Sequence, residues 1–586
     1  MKQQLQTLLS DALATLCQQN HIKQPENVRI NIDNSRDKKH GDYASNIAMT
    51  LTKPLKQAPK QIAASLIDLI KDSPLLANVE IAGPGFINFY LAGDTKTQVV
   101  SDVLSQQDAF GRTDKNKDQR IILEYVSSNP TGPLHVGHGR ATAIGATLAN
   151  ILKSQGAHVH QEYYVNDAGR QMNILAASVY LRYLALFNSP AKFPDNAYKG
   201  GYVNDIAKAL KTIHNDAFVQ TNEAQFSSLP KDACDDGDKE IYIDAIIERA
   251  QSLLGNDKFN IIHQFGLNGV LKDIKNELIA FGVEFDEFFS EQSLFDNGDI
   301  DKGIAALDKA GYLFEQEGAL WFKSTAFGDD QDRVLKRSNG ITTYFASDVA
   351  YHWNKYERNF TQVIDVFGSD HHGYTARVKA AAKALGFDDS AIDVLLIQFA
   401  VLYRGTTKVS MSTRSGDFVT LRELREEVGV DAARFFYVMR KYNQHLDFDL
   451  DLAKSQSSDN PVYYVQYAHA RVSSVLRNLK DKNHELDKSL GLTSLALLSQ
   501  EHEQTLMNQL QKYPEMLALA ARDKEPHLIA YYLRELANQF HTYYNAHHFI
   551  VDDAALRNAR LCLALAIQQV LHNGLSLIGV SSPEKM

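Results

Sequence analysis

The chain has 586 residues, 44% hydrophobic and 23% charged, with a net charge of −10. That length calls for several domains with sizeable cores, and the acidic balance excludes a generally basic nucleic-acid coat while leaving local phosphate-binding patches open. The three cysteines, Cys17, Cys234 and Cys562, lie far apart, which excludes a CxxC zinc ribbon and a disulfide framework and suits a reducing cytoplasm, and no run reads as a membrane span or a signal sequence.

Residues 1–92 read as a small α/β domain. Leu5, Leu8, Leu9, Leu13 and Leu16 recur at helical spacing. Val28–Ile32 predicts a short strand, Tyr43–Leu51 and Pro59–Ile70 predict helices, and residues 79–91 predict two strands around the turn Gly83-Pro84-Gly85. A charged, polar linker then runs from Asp108 to Gln119.

Ile121–Val126 is an apolar, β-rich run that predicts a buried strand. The loop Ser128-Asn129-Pro130-Thr131-Gly132-Pro133-Leu134-His135-Val136-Gly137-His138 follows. Ile144, Leu148, Ile151 and Leu152 next recur at helical spacing up to Gly156, a C-terminal stop, and His158–Val165 is again strand-like. Strand, loop, helix and strand make one βαβ unit. Ligands of open parallel sheets bind at the carboxyl ends of the strands, so His135 and His138 stand at the mouth of a nucleotide site, beside a helix N-terminus suited to phosphate. Histidines three apart without an intervening Glu are not a zinc-protease pair. By themselves they are ordinary helix-start residues, and the surrounding string gives them their weight.

Residues 170–320 interrupt this unit with mostly helical material, including Ile241–Leu254 and Ile261–Phe281. The acidic patch at 231–240 lacks calcium-loop spacing and reads as a solvated loop. Residues 319–322 predict a strand. In 340–353 a strand-to-helix change near Ser347 predicts an N-cap there, with Asp348 in the first helical turn. Residues 363–386 repeat the strand–loop–helix theme, with Asp370, His371 and His372 in the loop. Residues 395–403 predict one strand, and 404–420 a loop rich in small, hydroxyl and basic residues. After 455 the pattern is helical, at 460–479 with Pro461 near the first turn, then at about 491–521, 525–547 and 553–577. Tyr464, Tyr467, Arg471 and Arg477 interleave aromatic with basic groups, either as core plus solvated face or as an RNA-stacking stripe.

Four blocks resemble one family, in register. LEYVSSNPTGPLHVGHGR (123–140) is similar to the HIGH region of class I aminoacyl-tRNA synthetases, in the form found in bacterial arginyl enzymes. KVSMSTRSGDFVTL (408–421) resembles their KMSKS-type loop, GPGFINF (83–89) the end of their additional N-terminal domain, and NPVYYVQYAHAR (460–471) the first helix of their anticodon-binding domain. The resemblance implies a multidomain α/β architecture. A Rossmann-type parallel-sheet catalytic domain at 115–454 would carry the helical insertion, a small α/β domain at 1–92 would meet the tRNA, and an all-α bundle at 455–586 would bind the anticodon.

It also implies an arginine–tRNA ligase that uses ATP with Mg²⁺ and no zinc. L-arginine becomes arginyl-adenylate and is passed to tRNA(Arg), by a monomer in the cytoplasm with no membrane partner. ATP falls to His135, Gly137, His138, Met411 and Ser412, with His135 and His138 catalytic. The usual loop lysines are replaced by Ser410 and Thr413, and no Lys occurs in 129–134, so Lys408 and Arg414 become the candidate catalytic cations. For arginine, the family's positions fall on Asp348 and Tyr344 at the guanidinium, Glu124 as second acidic partner, Asn129 and His135 at the α-amino and carboxylate end, and His371. Tyr464, Tyr467, Arg471 and Arg477 become tRNA contacts. A cysteinyl enzyme would need zinc-ligand cysteines, a small-molecule adenylyltransferase has no use for the end domains, and a silent tRNA binder has no use for an intact HVGH string.

Overall fold

A computed structural model describes residues 1–25, 28–35, 37–188, 192–220, 226, 228–409 and 419–586. The N-terminal segment contains α1 (Lys2–Gln19), β1 (Asp33–Asn34), β2 (Tyr43–Ser45), α2 (Pro59–Ile70), β3 (Leu76–Ala82) and β4 (Phe86–Leu91). Its antiparallel sheet runs β1-β2-β4-β3. Pro59 opens α2, where the missing N–H costs nothing. Ile62, Ala63, Leu66 and Ile70 then face Leu5, Leu9, Leu13 and Leu16 of α1 in a core of their own. Two expectations fail here. Val28–Ile32 forms no strand, its Ile30 and Asn31 carbonyls accepting from the side chains of Gln6 and Ser45 instead, and the strand lies after it at Asp33–Asn34. Tyr43–Leu51 is not one helix: Tyr43–Ser45 pairs with Phe89–Ile87 of β4 before a single turn at Ile47–Thr50. Cross-strand pairing overrides local propensity in both places.

The next helix, α3 (Gly93–Gln106), has no forerunner in the sequence reading. It buries Val99, Val100 and Val103 in the main core. Then come β5 (Arg120–Glu124), α4 (Val136–Ser154), β6 (His158–Val165), α5 (Arg170–Ala185), α6 (Gly201–His214), α7 (Lys239–Ala280) and β7 (Glu287–Ser290). A three-stranded antiparallel sheet follows, β8 (Leu313–Gln316), β9 (Ala319–Phe322) and β10 (Arg333–Lys336). After it stand α8 (Tyr344–Glu357), β11 (Gln362–Gly368), α9 (Tyr374–Ala384) and β12 (Ile392–Ile397).

The central sheet has the order β12-β11-β5-β6-β7, with every pairing parallel. The chain fills it outward from β5 to β7, then returns to the other side through β11 and β12. The reversal lies between β5 and β11, the crevice where doubly wound sheets take their ligands. This is the Rossmann-type arrangement expected. The segment expected to be mostly helical also supplies β7, an edge strand of this sheet. The break between the two predicted helical runs is Gly255, where α7 leaves helical geometry (φ 70°, ψ 162°).

The predicted single strand at 395–403 is two. The chain turns at Gln398–Phe399 and enters β13 (Ala400–Arg404) of a separate sheet with β14 (Thr407–Lys408). Next are α10 (Val430–Val438) and β15 (Leu446–Asp449), which pairs parallel with β13. The last part is a bundle of α11 (Pro461–Asp481), α12 (Glu501–Asp523), α13 (His527–Ala546) and α14 (Ala554–Ile578). Three lie close to the predicted runs, but the run expected from about 491 is broken: a short helix ends at Thr493, a turn at Leu495–Leu497 follows, and α12 starts only at Glu501.

By length and composition α14 could cross a membrane, contrary to the sequence reading, but most of it is buried inside the protein. It shares one continuous core with the parallel-sheet region. Arg434 of α10, fully buried, donates through Nε to Ile578 O (2.7 Å) and through Nη1 to Phe281 O (3.1 Å), stitching the two together.

Candidate functional site

The site begins where β5 ends. Val126 (φ 71°) and Ser127 (φ 39°) are both left-handed, and Ser127 N–H donates back to Tyr125 O (3.0 Å), closing a tight turn. A β-branched residue in that region is strained, as residues at binding sites often are. The turn fixes Ser127, whose Oγ donates to Glu124 Oε1 (2.9 Å) and accepts Tyr164 N–H (3.1 Å). The helix behind lies close against the strand. A Cβ on Gly145 of α4 would fall 2.3 Å from Tyr125 Cγ.

At the start of α4 the two histidines cap the helix reciprocally. His135 Nδ1 accepts Gly137 N–H (3.1 Å), and His138 Nδ1 accepts His135 N–H (3.2 Å). Their rings stack with centroids 3.6 Å apart. With Nδ1 an acceptor in each, the neutral ring carries its proton on Nε2, a donor suited to phosphate oxygens. Burial holds both below the ordinary histidine value, His138 well below it, where His135 adds a smaller repulsion. Gly137 has a second reason to lack a side chain besides nucleotide approach. Its Cβ would lie 2.9 Å from His135 Cε1.

These residues open on a cavity of about 560 Å³ at the β5/β11 reversal. Of the predicted site residues, it brings together Glu124, Ser128, Asn129, His135, Gly137, His138, Tyr344, Asp348 and His371. Tyr344, 72% exposed, and His371, also exposed, stand at the rim. Asn129 Oδ1 accepts Asn166 Nδ2 (3.1 Å). Pro133, Leu134 and Gly132 face instead a larger cleft of about 1570 Å³ beside α6 and α7. Tyr202 of α6 donates to Thr131 O there.

The helix start near Ser347 is corrected. α8 begins at Tyr344, with Thr343 as N-cap residue, because Thr343 is tied to β10 through its N–H to Leu335 O and its Oγ1 to Val334 O. Ser347 is buried, and Asp348 lies in the second turn, where helix capping no longer explains it. Asp348 Oδ2 is buried without a hydrogen-bond partner among the described residues, and so is Oε2 of Glu291 just after β7. Glu291, 4% exposed, is approached by the hydroxyls of Ser347 and Tyr164. Burial, then Glu291 and Glu124, hold the Asp348 carboxyl well above its ordinary value, and burial raises Glu291. Buried anions without counter-charges are costly, so the pair marks a place for a cation.

Glu124 is occupied differently from the expectation. Its Oε2 accepts Lys355 Nζ (2.6 Å) and its Oε1 accepts Ser127, so both oxygens already have partners on the chain. Lys355, fully buried, also donates to Asp365 Oδ1 (2.7 Å), and His352 Nε2 meets Asp365 Oδ2 (2.9 Å). Burial opposes the charge on Asp365, but Lys355 and His352 outweigh it and hold that carboxyl low. This network ties α8, and hence Asp348, to β5 and β11. Sequence reasoning missed Glu291 and Lys355. Glu291 follows Ser290, a cap residue, and looks like a dipole-favoured first-turn acid, while Lys355 looks like an ordinary solvated face.

Of the second loop, Met411, Ser412 and Arg414 lie outside the described residues. Lys408 is exposed on β14 and does not line the cavity. The loop's downstream end is fastened to the first motif. Val136 N–H donates to Val419 O (3.2 Å), Leu421 N–H to Leu134 O (2.8 Å), and His135 pairs with Thr420 as an antiparallel bridge. Tyr464, Tyr467, Arg471 and Arg477 are half-buried on α11, away from the cavity. Arg471 lies over the rings of Tyr467 and Tyr544, each at 4.6 Å, and Arg477 holds Glu584 O (3.2 Å) of the C-terminal tail. The cluster His160, Glu162 and Glu287 has ligand-like spacing, but Arg358 already bridges Glu162 (2.7 Å) and Glu287 (3.0 Å).

Comparison with known proteins is decisive. Residues 3–91 match the arginyl tRNA synthetase N terminal domain, 99–187 and 207–451 the class I (R) tRNA synthetase catalytic domain, and 465–586 the DALR anticodon binding domain. An arginine–tRNA ligase from Legionella pneumophila (strain Paris) is 57% identical over 586 residues, covering all of both chains. The chain belongs to the arginyl-tRNA synthetase family. Another such ligase, from Coxiella burnetii (strain RSA 331 / Henzerling II), is 50% identical over the full length of both chains. The Thermus thermophilus arginyl-tRNA synthetase structure, 22% identical with a TM-score of 0.74, covers all of both chains and shares the fold. The histidine pair, the acidic cavity and the fastened second loop are thus features of an arginyl-tRNA synthetase catalytic region.

Proposed function

We propose that the chain is an arginine–tRNA ligase, acting in the cytoplasm, that activates L-arginine with ATP and transfers it to tRNA(Arg). The observation that carries this reading is the pair of buried carboxylate oxygens, Asp348 Oδ2 and Glu291 Oε2, which have no hydrogen-bond partner among the described residues, in the cavity at the sheet's reversal point. A guanidinium offers donors in a planar fork and keeps its charge when desolvated, so it satisfies two such acceptors where a neutral side chain would leave them bare. Asp348 and Glu291 take the guanidinium, Tyr344 and Tyr164 line its approach, and Asn129 with His135 meets the α-amino and carboxylate end. Glu124, held by Lys355, borders the pocket and sets its charge.

ATP lies across the crevice with its phosphates toward the Nε2–H groups of His135 and His138. The arginine carboxylate attacks the α-phosphorus and pyrophosphate leaves. The chain contributes position and charge stabilisation and no covalent nucleophile. Lys408 and Arg414 are the loop cations for the leaving pyrophosphate. The rim offers hard oxygen donors, Asp370 and Asn129, and no dedicated cage among the described residues. That suits magnesium carried mainly by the phosphates, whose charge it neutralises when bound. Residues 1–92 serve as the tRNA-facing module, 115–454 as the catalytic region and 455–586 as the anticodon module. Tyr464, Tyr467, Arg471 and Arg477 of α11 serve as its tRNA contacts.

The test is pyrophosphate exchange into ATP with each amino acid in turn, with and without tRNA. Arginine-dependent exchange is the expected outcome. Exchange with another amino acid discards the pocket assignment, and no exchange from folded protein under either condition overturns the enzyme reading.

A further inference from the structure

One buried polar group on α10 has no part in the scheme above. Tyr437 is fully buried, and its ring packs on Phe448 of β15 with centroids 5.3 Å apart. The helix that carries it is fixed, because Arg434 one turn earlier holds Ile578 O and Phe281 O. Burial pushes the Tyr437 phenol far above the ordinary tyrosine value, so its hydroxyl is a permanent donor. It donates to Val136 O (2.8 Å), at the first residue of α4. A close approach of ring and helix makes that bond reachable. A Cβ on Gly139 of α4 would lie 3.0 Å from Tyr437 Cε2 and 3.1 Å from its hydroxyl oxygen, tight enough to push the ring away.

The carbonyl that Tyr437 holds belongs to the same peptide group as Gly137 N–H, which donates to His135 Nδ1 (3.1 Å). A trans peptide is planar, with its oxygen and its N–H on opposite sides, so fixing the oxygen aims the N–H. A bond accepted at the oxygen also polarises the amide and strengthens the bond its N–H makes. The preceding peptide is pinned from outside the helix as well, with Val136 N–H on Val419 O (3.2 Å). The bond from Gly137 keeps His135 Nδ1 an acceptor and leaves the proton of the neutral ring on Nε2. A buried hydroxyl thus stands behind the imidazole, one peptide group away.

Resting on the ligase reading and going further into it, we propose that Tyr437 is a positioning residue for His135. It acts through the Val136–Gly137 peptide and holds the ring in the orientation and tautomer that present Nε2–H to the nucleotide.

The experiment measures kcat and KM for arginine in pyrophosphate exchange at saturating ATP and tRNA. The comparison is repeated on a His135→Ala background in single turnover, where slow adenylate formation stays measurable. Tyr437→Phe is expected to lower kcat by ~3- to 10-fold, the size of one neutral hydrogen bond, with KM for arginine within about two-fold of the parent. On the His135→Ala background the same change should have less than about a two-fold effect, because a residue acting through a ring has nothing to act on once the ring is gone. A kcat within about two-fold of the parent, a loss carried by KM for arginine, or an undiminished loss on the His135→Ala background would each overturn the proposal. If Tyr437→Phe fails to fold by circular dichroism, Gly139→Ala takes its place, crowding the ring off Val136 O, and is read against the same outcomes. Should the parent protein show no arginine-dependent exchange, the ligase reading fails by itself. The proposal is then judged by the crystal structure of Tyr437→Phe, where the His135 ring is expected to leave Gly137 N–H and an unmoved ring overturns it.

Discussion

Replacing Asp348 by Asn should move stability and activity in opposite directions. Asp348 Oδ2 is buried without a partner among the described residues, and burial together with Glu291 and Glu124 raises its carboxyl well above the ordinary value. A carboxyl raised in the native state keeps a proton that the unfolded chain gives up at about pH 3.9. Stability from this group is therefore full below that value, declines as pH rises toward the native value, and stays lost above it. Asn has no proton to lose. The variant's advantage should grow from about pH 4 upward and level off at ~1–3 kcal/mol, the cost of an uncompensated buried polar group. With an unfolding entropy of about 2 cal/mol/K per residue on a unit of several hundred residues, that is a rise of ~1–4 °C in Tm. The same change removes a charge-assisted contact to the arginine guanidinium, ~2–5 kcal/mol, and should lower kcat/KM for arginine by ~30-fold or more. Thermal unfolding without ligand at pH 5 and pH 8, beside exchange kinetics, reads both effects. A variant less stable than the parent at pH 8, or a gain independent of pH, would refute the uncompensated charge. An unchanged arginine KM would refute the pocket.

Lys355→Met leaves Glu124 and Asp365 buried without their shared cation. It should cost ~3–5 kcal/mol near neutrality, and less as pH falls through the carboxylate range, because the depressed Asp365 contributes its stability only above that range; a loss under about 1 kcal/mol in thermal unfolding would rule the network out as a support. Gly137→Ala drives a methyl toward His135 and should slow adenylate formation by ~10²-fold with little change in Tm, as seen by exchange at saturating ATP. His135 and His138, both held low by burial, should leave the pH profile of kcat/KM flat down to the ordinary histidine value, about 6.5, with any decline below it; a midpoint at or above that value contradicts neutral donors. Lys408→Ala or Arg414→Ala should each lower the adenylation rate by ~10²-fold, and full turnover in both removes the loop cations from the scheme.

Much of the scaffold is legible from local pattern. Pro59–Ile70, His158–Val165 and Ala319–Phe322 occupy the spans their periodicity predicts, since caps and period act over a few residues. What fails depends on partners far along the chain. Asp33–Asn34 is a strand because it pairs with β2, and Thr343 rather than Ser347 precedes α8 because β10 holds it. The apolar run at 395–403 hides a change of sheet, since both halves are buried strands of equal character. In the site, the histidine pair and Asp348 could be found by motif. Glu291 and Lys355 could not, because burial of a single charge leaves no periodic mark.

The stitch between Arg434 and the end of α14 also bears on what the core needs in order to close. Asn150 Nδ2 of α4 reaches Leu577 O (3.0 Å), and a Cβ on Gly579 would strike the Arg434 guanidinium at 2.5 Å. The final helix thus completes a core begun by residues emerging hundreds of positions earlier. The N-terminal module, whose core closes between Leu5 and Leu91, does not depend on that helix for its own packing. Without α14 the apolar faces of α4 and α10 that it covers would stand open, so loss of its last turns should expose a surface that chaperones and proteases recognise.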